Sequence, residues 1–251
     1  MRTNLAPAAN RRARREAALA ASVVPDETVG RLVTYVDYLE RLLDQEVATV
    51  SSRELAAAAG VNAAQVRKDF SYLVPYRLGY FGTPGVGYEV RRLLYQLTRF
   101  LGVTHERRVV LVGYGSLGAA LARYRGFAAR NFNMVAVFDV DPAKIGKKVD
   151  GALVHGIDRL GEVLAQTGAE IAILATPASS AQSVAEKLAQ AGIRAILNFA
   201  PVVLSLPRGV TVRQVDLSRE MQLLAFRAMQ DGESARAHHD SLPEEERQRE
   251  P

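Results

Sequence analysis

The sequence predicts an α/β chain of two domains, a helical one at the N-terminus and a doubly wound parallel sheet behind it. From Pro25 to about Gly102, apolar residues keep the spacing of one buried helix face, as in Val29, Leu32, Val36, Leu39 and Leu43. From Arg107 onward, short runs rich in Val and Ile (residues 109–112, 134–138, 171–174 and 194–197) alternate with helix-period segments such as 179–190. That alternation implies parallel strands joined by crossover helices on both faces. The 251 residues, 48% hydrophobic and 24% charged, also hold enough apolar mass for two domains, which excludes a disordered or collagen-like chain.

The ends differ from this body. Residues 1–24 carry five Arg against Glu16, a net of +4, and residues 231–251, with Glu244, Glu245 and Glu246, a net of −4. Neither shows apolar periodicity, so both read as disordered, a basic arm and an acidic tail. The expected domains are then 25–102 and 103–230. Cysteine is absent, which excludes disulfides, Cys-ligated metal, a Cys nucleophile and a thiol redox switch. No run approaches the roughly 18 apolar residues of a spanning helix and the first residues lack a secretory core, so the expectation is a cytoplasmic chain with no membrane partner.

Within the first domain, Ser51-Ser52-Arg53-Glu54 is a capping box, followed by helical residues 55–59 and by Gly60, which can close a helix in left-handed space. Asn62-Ala63-Ala64-Gln65 reads as a second box, opening a helix that runs through Arg67, Lys68, Phe70 and Leu73 and stops before Pro75. Two short helices around a Gly-led turn form a helix-turn-helix. On the second, Val66, Phe70 and Leu73 share one side, while Ala64, Arg67, Lys68 and Ser71 occupy the other, offering two cations and a hydroxyl to phosphates or base edges. A wet face of any surface helix would look similar. Residues 25–105 sum to zero charge, which counts against DNA; the Arg-rich arm counts for it. Residues 76–88, dense in Gly and aromatics, suit a β-ribbon: the wing of a winged helix or an ordinary interdomain hairpin.

The second domain opens with Gly113-Tyr114-Gly115-Ser116-Leu117-Gly118 between an apolar strand and a helix, the context that makes this glycine pattern a dinucleotide fingerprint. Gly113 permits the tight turn, Gly115 lets backbone approach a pyrophosphate, and Gly118 lets helix pack on strand. Asp139, after the second strand, is placed to accept ribose hydroxyls and to repel a 2′-phosphate, favouring NAD(H) over NADP(H). This is a Rossmann-type nucleotide site. His105, His155, His238 and His239 are the only histidines, His155 reads as a turn residue, and neither a metal cluster nor a Ser-His-Asp order stands out. Thr176-Pro177 and Ala200-Pro201 put small residues at strand ends where a dehydrogenase would place a proton donor, so the pattern points to a sensor.

Together these halves resemble the Rex family of redox-sensing bacterial repressors over roughly residues 25–230. The resemblance rests on residues 51–56 (SSRELA), 65–72 (QVRKDFSY), 85–88 (GVGY), the glycine loop, 138–142 (FDVDP) and 196–201 (ILNFAP). It implies a homodimer whose winged helices bind a palindromic operator in double-stranded DNA when NADH is scarce, and whose Rossmann domains lower DNA affinity on binding NADH. It implies DNA contacts from Ser51, Ser52, Arg67, Lys68, Ser71, Arg77, Gly87 and Tyr88. It also implies cofactor contacts from residues 113–118 and Asp139, with Thr176, Pro177, Ala200 and Pro201 at the nicotinamide end. Tyr124 and Asp216 match a switch pair, and the last helix, about 217–230, matches an element swapped into the partner subunit.

Two departures stand out. Pro84 occupies the position of a wing arginine, with several extra residues between Tyr72 and Gly85, so Arg77 becomes the candidate substitute. Asp37 stands where some relatives have an arginine able to pair with the switch aspartate. The competing readings are a small NAD-dependent dehydrogenase with an accessory N-terminal domain and a CoA- or other nucleotide-binding interaction module.

Overall fold

The computed structural model describes residues 24–76, Gly82 and 85–241, with backbone only for Pro75 and 231–241. Two compact units divide between Glu106 and Arg107.

In the first unit, α1 (Asp26–Asp44) starts after Pro25 with Asp26 and Glu27 in its first turn and has Arg41 in its last, charges that complement the helix dipole. It buries Thr28, Leu32, Tyr35, Val36, Leu39 and Leu42. Val29 and Leu43, expected on this face, lie half-buried at its margins. β1 (Thr49–Val50) leads into α2 (Ser52–Ala58), whose capping box is complete: the Ser51 hydroxyl accepts from the Glu54 amide, and the Glu54 carboxylate accepts from the Ser51 amide. Gly60 closes the turn at φ 64°.

The second helix, α3 (Ala63–Ser71), departs from expectation twice. Its box is half-formed. Asn62 caps the Gln65 amide, but the Gln65 side chain turns forward and donates to Asp69 instead. It also ends at Ser71, so that Leu73 lies in the following turn and Pro75 inside a 3₁₀ turn, Val74–Tyr76, where a fixed φ is tolerated. β2 (Tyr88–Glu89) pairs antiparallel with β1, a strand lying before the helix-turn-helix, and α4 (Val90–Phe100) packs on α1. The core joins Leu32, Leu39, Leu55, Val66, Phe70, Leu73, Leu93 and Leu97.

Asp69, with no exposed surface, stands on α3 in the middle of this core. Arg31 donates to both its oxygens (2.8 and 2.7 Å), Tyr35 Oη at 2.9 Å, Gln65 Nε2 at 2.9 Å and Thr28 Oγ1 at 3.2 Å. Burial by itself raises the Asp69 pKa, and the bonds from Arg31, Gln65 and Tyr35 outweigh it and hold the group below the usual carboxylate range.

The second unit is a seven-stranded sheet in the order β5-β6-β4-β3-β7-β8-β9, the doubly wound arrangement. Its strands are β3 (Arg107–Val112), β4 (Phe132–Asp139), β5 (Lys148–Val149), β6 (Ala152–Gly156), β7 (Ile171–Leu174), β8 (Ala195–Asn198) and β9 (Thr211–Gln214). The four strands expected from the sequence, β3, β4, β7 and β8, pair in parallel, while β5, which the sequence did not announce, runs antiparallel to β6 and forms one edge. α7 (Leu160–Thr167) and α8 (Ala178–Gln190) cover one face over Val110, Val112, Phe138, Leu174 and Ile196. On the other face, α5 (Ser116–Ala122) and α6 (Arg125–Ala128) lie over Val109, Leu111 and Val137, while β8 reaches β9 without a helix. An apolar groove of about 340 Å³ therefore opens beside Phe127, Phe132, Ile173, Leu197 and Thr211. α9 (Leu217–Ser241) follows β9 and carries helical structure eleven residues past Gln230, into the segment expected to be a disordered tail. Among the described residues, no helix is long and apolar enough to cross a membrane.

The Asp69 cluster makes a stability prediction. Asp69→Ala leaves the Arg31 charge and the Tyr35 hydroxyl without their partner, and should cost about 3–5 kcal/mol in chemical denaturation of the first unit. Because the folded pKa is depressed, the carboxylate's contribution is complete above about pH 4, the ordinary Asp value, and is lost as pH falls through the folded pKa. A wild-type stability that stays flat on acidification into that range would contradict the assignment.

Candidate dinucleotide site and nucleic-acid interface

At the end of β3 the chain turns at Gly113 with φ 97°, a conformation L side chains rarely adopt, and a Cβ there would run into the Ala175 carbonyl at the end of β7. A Cβ on Gly118 would meet the Gly113 carbonyl and, at 3.5 Å, Leu111 Cδ2, so this glycine sets how closely α5 approaches the strand. Gly115 differs. It caps α5 with φ −79°, and a Cβ there would meet nothing within 4 Å. The space above it is left open by the protein, as an approaching pyrophosphate needs. Ser116 and Leu117 are exposed at the start of α5, and Tyr114 is half-buried, its hydroxyl accepting from Arg123 Nη2 at 3.4 Å.

Asp139 ends β4 with its side chain 7% exposed. Both oxygens are already engaged: Oδ2 accepts from the Tyr114 amide at 2.6 Å and from Lys144 Nζ at 3.3 Å, and Oδ1 from the Asp141 amide at 2.9 Å. Burial raises its pKa, but the two amides and Lys144 lower it further, so it is ionised. From the sequence, this carboxylate is expected to accept only ribose hydroxyls. In the structure it also splints the glycine loop, keeping remaining lone pairs for a ligand. Lys144 was not anticipated, and no local pattern marks a lysine five residues on.

At the neighbouring strand end, Thr176 Oγ1 is buried without a hydrogen-bond partner. An orphaned hydroxyl beside the glycine loop is costly unless a ligand satisfies it. Together with the opening above Gly115, it makes the residues present fit a dinucleotide. Pro177 is exposed and caps α8, Ala200 is buried and Pro201 exposed. The matched switch residues are not joined by a hydrogen bond within one chain. Tyr124 is 58% exposed and packs edge-on to Phe127 at 5.1 Å, while Asp216 caps α9, accepting from the Ser218 amide (3.0 Å) and hydroxyl. His155 is half-buried, packs on Phe138 at 5.9 Å, and has its pKa lowered by burial and then by Arg159.

In the first unit, Ala64, Arg67, Lys68 and Ser71 face solvent along α3, opposite buried Val66 and Phe70. Arg67 Nη1 reaches Ser52 Oγ at 3.5 Å, joining the middle of the polar face of α3 to the start of α2. The Ser71 hydroxyl donates to the Lys68 carbonyl at 2.6 Å and its residue is exposed. Tyr88 is half-buried with its ring 5.3 Å edge-on to Phe70, an aromatic of the core margin. Gly87 has φ 101° and lies so close to Val50 that a Cβ would sit 2.6 Å from its carbonyl oxygen. Arg77 and Pro84 lie outside the described residues. The zero net charge also hides a division: residues 25–46, α1 and its turn, sum to −4, and residues 47–105 to +4. The helix-turn-helix half is basic.

Comparison with known proteins places both units. Residues 23–71 match a family described as "Putative DNA-binding protein N-terminus", and residues 104–202 one described as "CoA binding domain". The chain is 52% identical over 215 residues to the redox-sensing transcriptional repressor Rex of Streptomyces coelicolor, covering 85% of this chain and 81% of that protein. It is 47% identical over 208 residues to its counterpart in Carboxydothermus hydrogenoformans, covering 83% and 98%. Among solved structures it resembles RSP in complex with β-NAD⁺ and operator DNA (TM-score 0.77, 33% identity, 88% of this chain and 99% of that one). It resembles RSP in complex with β-NADH equally well (TM-score 0.76, 32% identity, 86% and 99%).

The two glycines separate packing from ligand contact. Gly118→Ala should lower stability by about 1–3 kcal/mol, because α5 must shift. Gly115→Ala should leave the melting temperature within a few degrees and weaken dinucleotide binding instead. Equal destabilisation by both substitutions would refute the distinction.

Proposed function

The chain belongs to the Rex family of redox-sensing transcriptional repressors, and from that membership we propose how its residues divide the work. The protein is a DNA-binding repressor that reads the NADH/NAD⁺ balance, holding its operator when NADH is low and leaving it when NADH occupies the second unit. The observation that carries this reading is the presence, in one chain, of an outward cationic recognition helix and a glycine loop flanked by an ionised carboxylate and an orphaned hydroxyl.

Arg67 and Lys68 meet DNA, with Ser51 and Ser52 at the head of α2. On the cofactor side, residues 113–118 would hold the pyrophosphate, Asp139 the adenosine ribose, and Thr176, Pro177, Ala200 and Pro201 the nicotinamide end. Asp139 favours this dinucleotide over the CoA-type reading. The nicotinamide ring supplies the signal, since it is cationic when oxidised and neutral when reduced. Tyr124 and Asp216 read that difference, because only a group whose interaction changes between the two forms can shift the balance between states.

The working unit is a homodimer on a palindromic site. α9 exposes Leu217, Met221 and Leu224 on one side and Phe226 and Met229 elsewhere on its surface, apolar side chains that the described residues leave uncovered, and the sheet keeps an apolar groove. A second copy offers both surfaces a partner of matching chemistry. Two recognition helices then meet half-sites whose spacing the dimer sets. The protein acts in the cytoplasm by binding, without turnover. Among the described residues, no cluster of His, Asp and Glu could hold a metal, and His155 is packed against Phe138.

The test is an anisotropy titration of operator fragments with NADH or NAD⁺ added. NADH should release DNA at concentrations where NAD⁺ does little; indifference to both contradicts the function. Arg67→Ala should weaken operator binding by about 1–3 kcal/mol and leave NADH binding intact. Asp139→Ala should reduce NADH affinity by roughly tenfold or more, the scale of a hydrogen bond to a charged group, while ligand-free DNA binding persists. Unchanged NADH potency in that variant would remove Asp139 from the ribose site.

A further inference from the structure

The connection between β8 and β9 carries no helix, yet it is tightly tied. Asn198, the last residue of β8, has no exposed surface. Its Nδ2 donates to the Val202 carbonyl at 2.9 Å and to Gln214 Oε1 at 2.7 Å, and its Oδ1 accepts from the Ala200 amide at 3.0 Å. Gln214, the last residue of β9, donates from Nε2 to the Ala200 carbonyl at 2.8 Å. Both backbone groups of Ala200 are thus bonded to side chains at strand ends. One residue after Gln214, the Val215 amide donates to the Asn198 carbonyl at 2.8 Å; the next residue, Asp216, caps α9.

We propose that Gln214, held by Asn198, is a positioning residue that links the Ala200–Pro201 end of the cofactor site to the root of α9, so that ligand occupancy is read out as the setting of that helix. This inference rests on the functional reading above and deepens it. A displacement at Ala200 cannot occur alone. It must carry Gln214 with it or break the bonds that tie Ala200 to Gln214 and to the fully buried Asn198 amide, and the loss at Asn198 is costly. Asp216 lies two residues further along the same extended segment, and α9 beyond it keeps its apolar side chains exposed among the described residues. Its direction is therefore set at its root and by the second copy it packs against. A change there alters the dimer, and with it the spacing of the two recognition helices. Asn198 and Gln214 contact each other across 16 positions of sequence, and the strand ends they occupy are adjacent only because β8 and β9 pair in register, Asn198 opposite Gln214.

The test compares wild type with Gln214→Leu, which keeps the size of the side chain and removes both its hydrogen bonds, and with Gln214→Glu, which keeps the acceptor and loses the donor. Gln214 is on an edge strand, so folding is expected to survive, and thermal melting checks it. For each full-length dimer, NADH affinity is read from cofactor fluorescence, clean here because the chain has no Trp. Operator affinity is read by anisotropy with and without saturating NADH. The expected result is a ratio of the two operator affinities reduced about fivefold or more in Gln214→Leu, on the scale of ordinary coupling energies, with Gln214→Glu intermediate. NADH affinity and ligand-free operator affinity should stay within about threefold of wild type. A purely structural role would move the melting temperature and leave the ratio alone, and that result overturns the proposal. Loss of NADH binding in Gln214→Leu also overturns it, since Gln214 would then be part of the ligand site. A wild-type operator affinity indifferent to NADH would instead sink the functional reading itself.

Discussion

A carboxylate with no access to water has to be satisfied by its neighbours, and Asp69 fixes the first unit in this way. Its donors come from α1 (Thr28, Arg31, Tyr35) and from its own helix (Gln65), and each bond from α1 demands a particular rotation of α3 against that helix. That rotation turns Val66 and Phe70 inward and leaves Arg67 and Lys68 outward. An apolar residue at position 69 could pack as well, but it would not specify one arrangement so strictly; directional bonds to a buried charge do. Asp139 plays the same part in the second unit. It joins the glycine loop to the turn after β4, so the residues that face a dinucleotide are set before any ligand arrives. Preorganisation of this kind spares a binding event the cost of ordering its site.

Electrostatics follow from that geometry. The first unit is neutral in sum because the acids gather on α1 and its turn, while the helix-turn-helix and α4 carry the cations. A duplex meets one face, so the local excess governs binding and its salt dependence, and the total does not. The zero cysteine count acquires meaning beside this. With thiol chemistry closed to the chain, a bound nicotinamide is the means by which it reads redox state.

Much of the architecture was legible in the sequence because it is encoded locally. The capping box at Ser51, the strand at 171–174, the glycine loop and Asp139 each follow from residues within a few positions of one another. The misreadings have a common cause. Gln65 abandons its box for Asp69, and Asp69 in turn takes Arg31 from 38 positions away, a partner no local pattern announces. The packing of the half-buried Tyr88 ring on Phe70 is a contact that the wing motif does not announce. The short strands β5 and β9 owe their existence to neighbours already in the sheet. α9 continues past Gln230 through residues too polar to show a buried face. Asp69 did leave one trace, an acid set among the apolar positions Val66, Phe70 and Leu73.

One ligand and one operator bias the same two states of the protein in opposite directions. Binding linkage then requires the effect to be reciprocal. The direct measurement is the NADH affinity of the protein free in solution and again when saturated with operator DNA. NADH should bind the DNA complex more weakly, by the same factor by which NADH weakens the operator, and NAD⁺ should show little difference. Equal NADH affinity on and off the operator would contradict the account.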